Sequence, residues 1–213
     1  MSQNISLKDA ERKVFRTAHN DGLWDIFLGC FFLEFAITPL LSTSLGDFWS
    51  SAVFIPILLL VYLMIRLVRK NVIKPRIGVV KFGRSRINKL KKFSFVMLVV
   101  NIIAAILGFI VAMNFRRIAG ETIPLILGMI FLIGFSIAAY FLDFSRLYLY
   151  GLLAALSPLV GEWLFINGIA SHHGFPIAFG TTAGVMIIVG LVIFLRLLHN
   201  NPILIEAISP GEK

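Results

Sequence analysis

The stretch FSFVMLVVNIIAAILGFIVAM, residues 93–113, runs for 21 positions without an ionisable side chain. At about 1.5 Å of rise per residue it makes a helix of about 30 Å, the thickness of a bilayer's hydrocarbon core. Working outward from it, comparable runs occupy residues 23–41, 51–68, 123–142, 147–166 and 175–198. The composition agrees: 58% of the 213 residues are hydrophobic, 15% are charged, and the mean hydropathy is +0.90. A soluble domain carries about 25% charged residues, so that class is excluded. Backbone groups in lipid must be paired within the chain, which leaves helices or a closed barrel. Barrel strands are only about 10 residues long, so the expected fold is all-α, a polytopic bundle of six transmembrane helices.

The 20 Lys and Arg against 11 Asp and Glu give a formal charge of +9. With six spans, 18 of the 20 basic residues fall on one side, and only Arg116 and Arg117 on the other. Since cytoplasmic loops hold the excess of Lys and Arg, both termini are expected in the cytoplasm. The connections 42–50, 114–122 and 167–174 then face outward. Because 22 polar, charge-rich residues precede the first run and no small-residue cleavage site follows, that run is expected to be retained. One membrane domain, 23–198, is thus expected between an amphipathic segment, 1–22, and a tail, 199–213. Within the segment, residues 5–18 have the pattern of a basic amphipathic helix lying in the headgroup layer, opened by a Ser6 and Asp9 capping box.

The inner connection 69–92 is the richest soluble stretch. Eleven positive charges lie between Arg66 and Lys92, and no acidic residue occurs from Phe48 to Gly120. Pro75 and Gly78 argue against one continuous helix, and Ile77, Val79, Val80 and Phe82 favour an extended segment ending at Gly83. Arg76, Lys81, Arg84, Ser85, Arg86, Lys89, Lys91 and Lys92 are the candidates for contact with anionic headgroups or phosphate. Each is worth something like 1 kcal/mol close to an anionic surface. Gly83 to Arg86 also has the makings of a phosphate cradle, with backbone N–H groups and two guanidinium forks. No Walker loop or dinucleotide fingerprint is present, and neither a cofactor nor nucleic acid is expected.

Inside the spans, Glu34 is the most expensive residue, since a charge at mid-bilayer costs about 2.5–3.5 kcal/mol on insertion scales. Cys30 and Thr38 stand four residues to either side, making a polar stripe expected to face the bundle interior. It reads as a proton carrier or substrate ligand, or else as a protonated Glu bonded to a neighbouring helix. Asp21 and Asp25 suit the start of the first helix. Asp143 and Arg146 read as a local ion pair or a cap in a tight turn. Glu162, His172 and His173 are weak metal-ligand candidates without a fourth ligand. Pro124 suits a helix start, whereas Pro39, Pro56 and Pro158 are expected to kink or end their helices. Small residues four apart, Ala104, Gly108 and Ala112, Gly151 and Ala155, Ser157 and Gly161, and Gly180 and Gly184, mark faces for helix packing or an oligomer seam.

Asp21 and Gly22 resemble the Asp-Gly opening of the CDP-alcohol phosphatidyltransferases, but Asp25 and Ile26 replace that family's next motif residues and no later aspartates follow at its spacing. DGLWDIFLG, residues 21–29, and PRIGVVKF, residues 75–82, resemble uncharacterised prokaryotic six-span membrane proteins with no known activity. The resemblance implies a prokaryotic cytoplasmic membrane. The expected function is a non-enzymatic membrane component or anionic-lipid-associated subunit. The alternatives are a small transporter or channel built on Glu34, and a lipid-modifying enzyme.

Overall fold

The computed structural model describes residues 21–77, 84–114 and 122–202. Among them are six long helices: α1, Leu23–Leu45; α2, Phe54–Val68; α3, Arg84–Met113; α4, Thr122–Leu142; α5, Arg146–Ile166; and α6, Phe175–Asn200. All six are long and apolar enough to cross a membrane once the flanking turns of α2 are included, and no strand occurs among the described residues. The expected all-α, six-span bundle is the fold observed. The amphipathic stretch 5–18, the segment 78–83 and the tail 203–213 lie outside the described residues.

Several boundaries differ from the hydropathy reading, each for a backbone reason. α1 continues past residue 41 because Ser42, Thr43 and Ser44 each return their hydroxyl to a carbonyl three residues back, at 2.9–3.1 Å. Those local bonds let a polar triplet stay helical without water. A six-residue helix, Asp47–Ala52, leads into α2. Past Val68 the expected break at Pro75 does not occur: a π turn, Arg69–Ile73, and a further turn, Lys74–Ile77, prolong the helix. Pro75 is tolerated because it opens a fresh turn after the π segment, where a missing N–H is least costly. Pro39 and Pro158 likewise lie inside continuous helices, and Pro56 sits in the first turn of α2 instead of ending it. In a bilayer a broken helix strands several backbone groups, whereas a proline strands one.

α1 packs most extensively on α6, α4 on α5, and α5 on α6, so these four form the core. α1 and α6 approach through glycine. A Cβ on Gly190 would stand 2.7 Å from the Gly22 carbonyl oxygen, and one on Gly29 would stand 2.9 Å from that of Ala183. These contacts are seven residues apart on both antiparallel helices, the repeat of a packed helix face. Gly22 also takes a φ of +78°, which a side chain would strain. At the next interface a Cβ on Gly128 would stand 2.6 Å from the Ala155 carbonyl oxygen, and the expected small-residue face of α5 is thus used inside the monomer. By contrast, a Cβ on Gly108 or Gly184 would meet nothing within 4 Å. Ser157 and Thr182 join α5 to α6 through hydroxyls 2.8 Å apart.

Where the four helices meet, Phe32 and Phe179 are fully buried and stacked, with centroids 6.0 Å apart, and Phe131 lies 5.3 Å from Phe32. α2 and α3 are peripheral. α2 turns Phe54, Leu58, Val61, Ile65 and Val68 inward at alternating spacings of four and three, while the membrane-spanning stretch of α3 buries no residue. α3 is long. Its 30 residues reach about 45 Å, well beyond a hydrocarbon layer of about 30 Å, so its basic first turns stand clear of it.

Candidate functional site at the basic end of the bundle

At the basic end, acids and cations from different helices meet in pairs. Asp25 has no exposed surface; Tyr150 donates to its Oδ1 at 2.6 Å, and Arg146 Nη2 lies 3.2 Å from Oδ2. Arg146 and Tyr150 are four apart, so α5 presents both on one face to α1. This corrects the expectation that Asp25 only complements a helix start, and it gives Arg146 a partner across helices. Lys89 of α3 stands 3.2 Å from Asp143, a residue with a φ of +52° between α4 and α5. Asp21 does cap α1, accepting the Leu23 N–H at 3.1 Å, and it also accepts Arg69 Nε at 2.9 Å. These contacts tie α1 to the π turn, α1 to α5, and α3 to the α4–α5 connection. Removing one member of a buried pair strands its partner's charge, at a cost of about 3–5 kcal/mol.

Beside these pairs a cavity of about 490 Å³ opens between α1, α3 and α4. Trp24 and Phe31 of α1, Phe93 and Asn101 of α3, Phe131 of α4 and Phe144 are among its walls. On α3 it runs from Phe93 to Ala104, about 16 Å along the axis, or about half of the hydrocarbon thickness. It thus occupies only the half of the bundle nearest the basic end. Cations stand against its aromatic walls at that end: the Arg146 guanidinium lies 4.8 Å from the Phe144 ring and that of Arg69 lies 5.5 Å from Trp24. The buried Trp24 Nε1 there has no hydrogen-bond partner among the described residues, and Arg146 Nη2 faces the Asp25 Oδ2 of its ion pair without hydrogen-bond geometry.

The residues singled out from sequence are distributed as follows. Cys30, Glu34 and Thr38 are half-buried, and the Thr38 hydroxyl is buried without a partner among the described residues. Glu34 is seven residues from Phe27, hence on the same face, and Phe27 packs on Tyr62 of α2 at 6.3 Å. The stripe therefore faces α2, not the packed interior, which Gly29, Phe32 and Ala36 occupy on the other side of α1. Arg76 donates to the carbonyls of Leu198 at 3.0 Å and Asn201 at 3.2 Å, closing the end of α6. Lys91 and Lys92 are exposed on the first turns of α3. Arg84, Ser85 and Arg86 begin that helix, with side chains outside the described residues, as is the whole of Lys81. At the opposite end, His173 Nδ1 lies 2.8 Å from Glu162 Oε2, and the His173 ring packs against Phe165 at 4.3 Å with the planes tilted by 33°. His172 does not join them, and no group of three metal-binding side chains forms among the described residues.

Trp24, Arg69 and Tyr150 were not singled out as site residues in the reading of the sequence. The signal for Tyr150 was present, since Arg146 and Tyr150 form a polar pair four apart at the start of an otherwise apolar span. Comparison with protein-family models, with curated proteins and with solved structures found no match to this chain.

Proposed function

We propose that this chain is a non-enzymatic, lipid-associated component of a prokaryotic cytoplasmic membrane, with its basic end at the cytoplasmic face. The observation that supports this reading is the apolar cavity between α1, α3 and α4, confined to one half of the bundle and bordered by cations at its outer end. A compartment about 16 Å deep suits one acyl chain of one leaflet. Its volume falls within the range of about 300–1,000 Å³ of ordinary ligand sites. Basic groups at the mouth suit the anionic lipids of an inner leaflet, and the exposed Lys91 and Lys92 add to the attraction. Gly184 on α6 is open enough to seat a partner helix, so a homo- or hetero-oligomer would form there.

The test is lipid retention. Gly134 lines the cavity and a Cβ there would meet nothing within 4 Å, so Gly134→Phe fills the space without forcing the bundle apart. Purified in mild detergent, the parent protein is expected to carry a stoichiometric lipid and Gly134→Phe to have lost it. Equal retention by both proteins would count against the reading.

A second reading, a small transporter or channel built on Glu34, is favoured by one observation. The unpartnered Thr38 hydroxyl lies one turn from Glu34 on the face toward α2. It requires that Glu34→Gln abolish a flux across proteoliposomes; under the lipid reading the same substitution leaves lipid retention unchanged.

A further inference from the structure

We propose that the basic end of the cavity is a headgroup site for a glycerophospholipid of net negative charge, in which Trp24 Nε1 and Arg146 Nη2 donate to the lipid phosphate. The proposal rests on the cavity being an acyl-chain compartment and adds the chemistry of its polar end.

Buried N–H donors are nearly always paired, and an unpaired one forfeits its hydration without return. Here Trp24 Nε1 is such a donor among the described residues, and Arg146 Nη2 has the ion-paired Asp25 Oδ2 nearby but no hydrogen bond to it. Trp24 lines the cavity and adjoins Asp25 in the chain; Arg146 lies 3.2 Å from Asp25 and covers the ring of Phe144, another wall. What fits between them is an acceptor with several lone pairs, attached to something apolar that fills the space below. A phosphodiester on an acyl glycerol has that form, and charge-assisted bonds to a guanidinium are the strong ones for phosphate.

The sign of the headgroup follows from the local charge. Asp25 and Asp21 already hold Arg146 and Arg69, and Asp143 holds Lys89. Lys91 and Lys92 are exposed on the turn before Phe93, so the rim keeps a positive surplus. A quaternary ammonium would meet that surplus as a like charge, whereas a phosphatidylglycerol headgroup brings a single negative one. Depth points the same way. The cavity begins at the level of Trp24 and Phe93, beside the basic groups, and extends from there for about half of a hydrocarbon thickness, the reach of one leaflet's chains.

The test is native mass spectrometry of the full chain in detergent, offered phosphatidylglycerol and phosphatidylcholine in turn, for the parent, Trp24→Phe and Gly134→Phe. The parent is expected to retain one phosphatidylglycerol in clear preference to phosphatidylcholine. Trp24→Phe keeps a ring against Phe27 but loses the donor; a lost bond to a charged group is expected to lower phosphatidylglycerol retention about tenfold. Phosphatidylcholine carries the same phosphodiester, so the smaller amount of it that is retained is expected to fall as well. An excess of inorganic phosphate is expected to leave the lipid in place, because the chain supplies much of the affinity. If Trp24→Phe retains phosphatidylglycerol as the parent does while Gly134→Phe loses both lipids, the headgroup site is wrong and the chain compartment stands. Retention of both lipids by Gly134→Phe would sink both. Should Trp24→Phe aggregate, Arg146→Lys supplies the same comparison. It keeps the charge beside Asp25 and withdraws the planar fork, and unchanged phosphatidylglycerol retention there also overturns the site.

Discussion

Asp25 is a carboxylate shielded from solvent, reached by two side chains of α5. Tyr150→Phe deletes one bond to a charged acceptor and is expected to lower stability by about 1.5–3 kcal/mol. Asp25→Ala leaves Arg146 without its counter-charge and is expected to cost more, about 3–5 kcal/mol. Thermal unfolding in detergent gives the order, and a larger loss for Tyr150→Phe would contradict the assignment. The combined variant should cost less than the sum of the single ones, because the three groups form one unit. None of this pairing is visible from one helix at a time. Asp25 and Tyr150 stand 125 positions apart in the chain, and only the parallel alignment of α1 and α5, both starting at the basic end, brings them together. Glu34 shows the converse. Its cost in lipid is plain from sequence, but the direction it faces depends on which flank of α1 carries α2.

Among the helices, existence was legible and ends were not. Each apolar run marks a span because hydropathy and length are properties of the segment itself. The prolongation of α2 through Pro75 is different, since it depends on how backbone N–H groups are shared across a π turn. That turn inserts one residue into the helical register and sets where Arg69 and Arg76 emerge. Removing Lys70, an exposed residue within it, is expected to restore α register and to turn Arg76 by about 100°. Arg76 would then leave the Leu198 and Asn201 carbonyls. Faster hydrogen exchange at the end of α6 checks this, and unchanged protection there would show that the π turn does not position Arg76. At the α1–α6 crossing, Gly190→Leu is expected to abolish folding, since its Cβ would fall 2.8 Å from a side-chain carbon of Ile26 and 2.7 Å from the Gly22 carbonyl. Gly184→Leu, in open space, should be tolerated in a monomer. The small-residue spacing marked the face of α5 but missed Gly22, Gly29 and Gly128, because close approach needs only one glycine where the partner offers backbone.

For the whole molecule, the distribution of charge and the shape of the bundle lead to one arrangement. The proposed orientation places Ser44, exposed at the end of α1, outside the cell. Ser44→Cys in a Cys30→Ala background is expected to react with an impermeant maleimide in intact cells; protection until lysis would reverse the topology. The cavity was not legible in the sequence, because it arises from α3 standing off the four-helix core, and packing density is not a property of any single segment. The central claim is that an anionic lipid occupies that space. Its most direct test is the fluorescence of Trp24 as the sole tryptophan, with Trp49→Phe and Trp163→Phe, in vesicles where either phosphatidylglycerol or phosphatidylcholine is brominated near the carbonyl end of its chain. Stronger quenching by the brominated phosphatidylglycerol, with the difference abolished by Gly134→Phe, is the expected result. Equal quenching by the two lipids, unaffected by Gly134→Phe, would contradict the account.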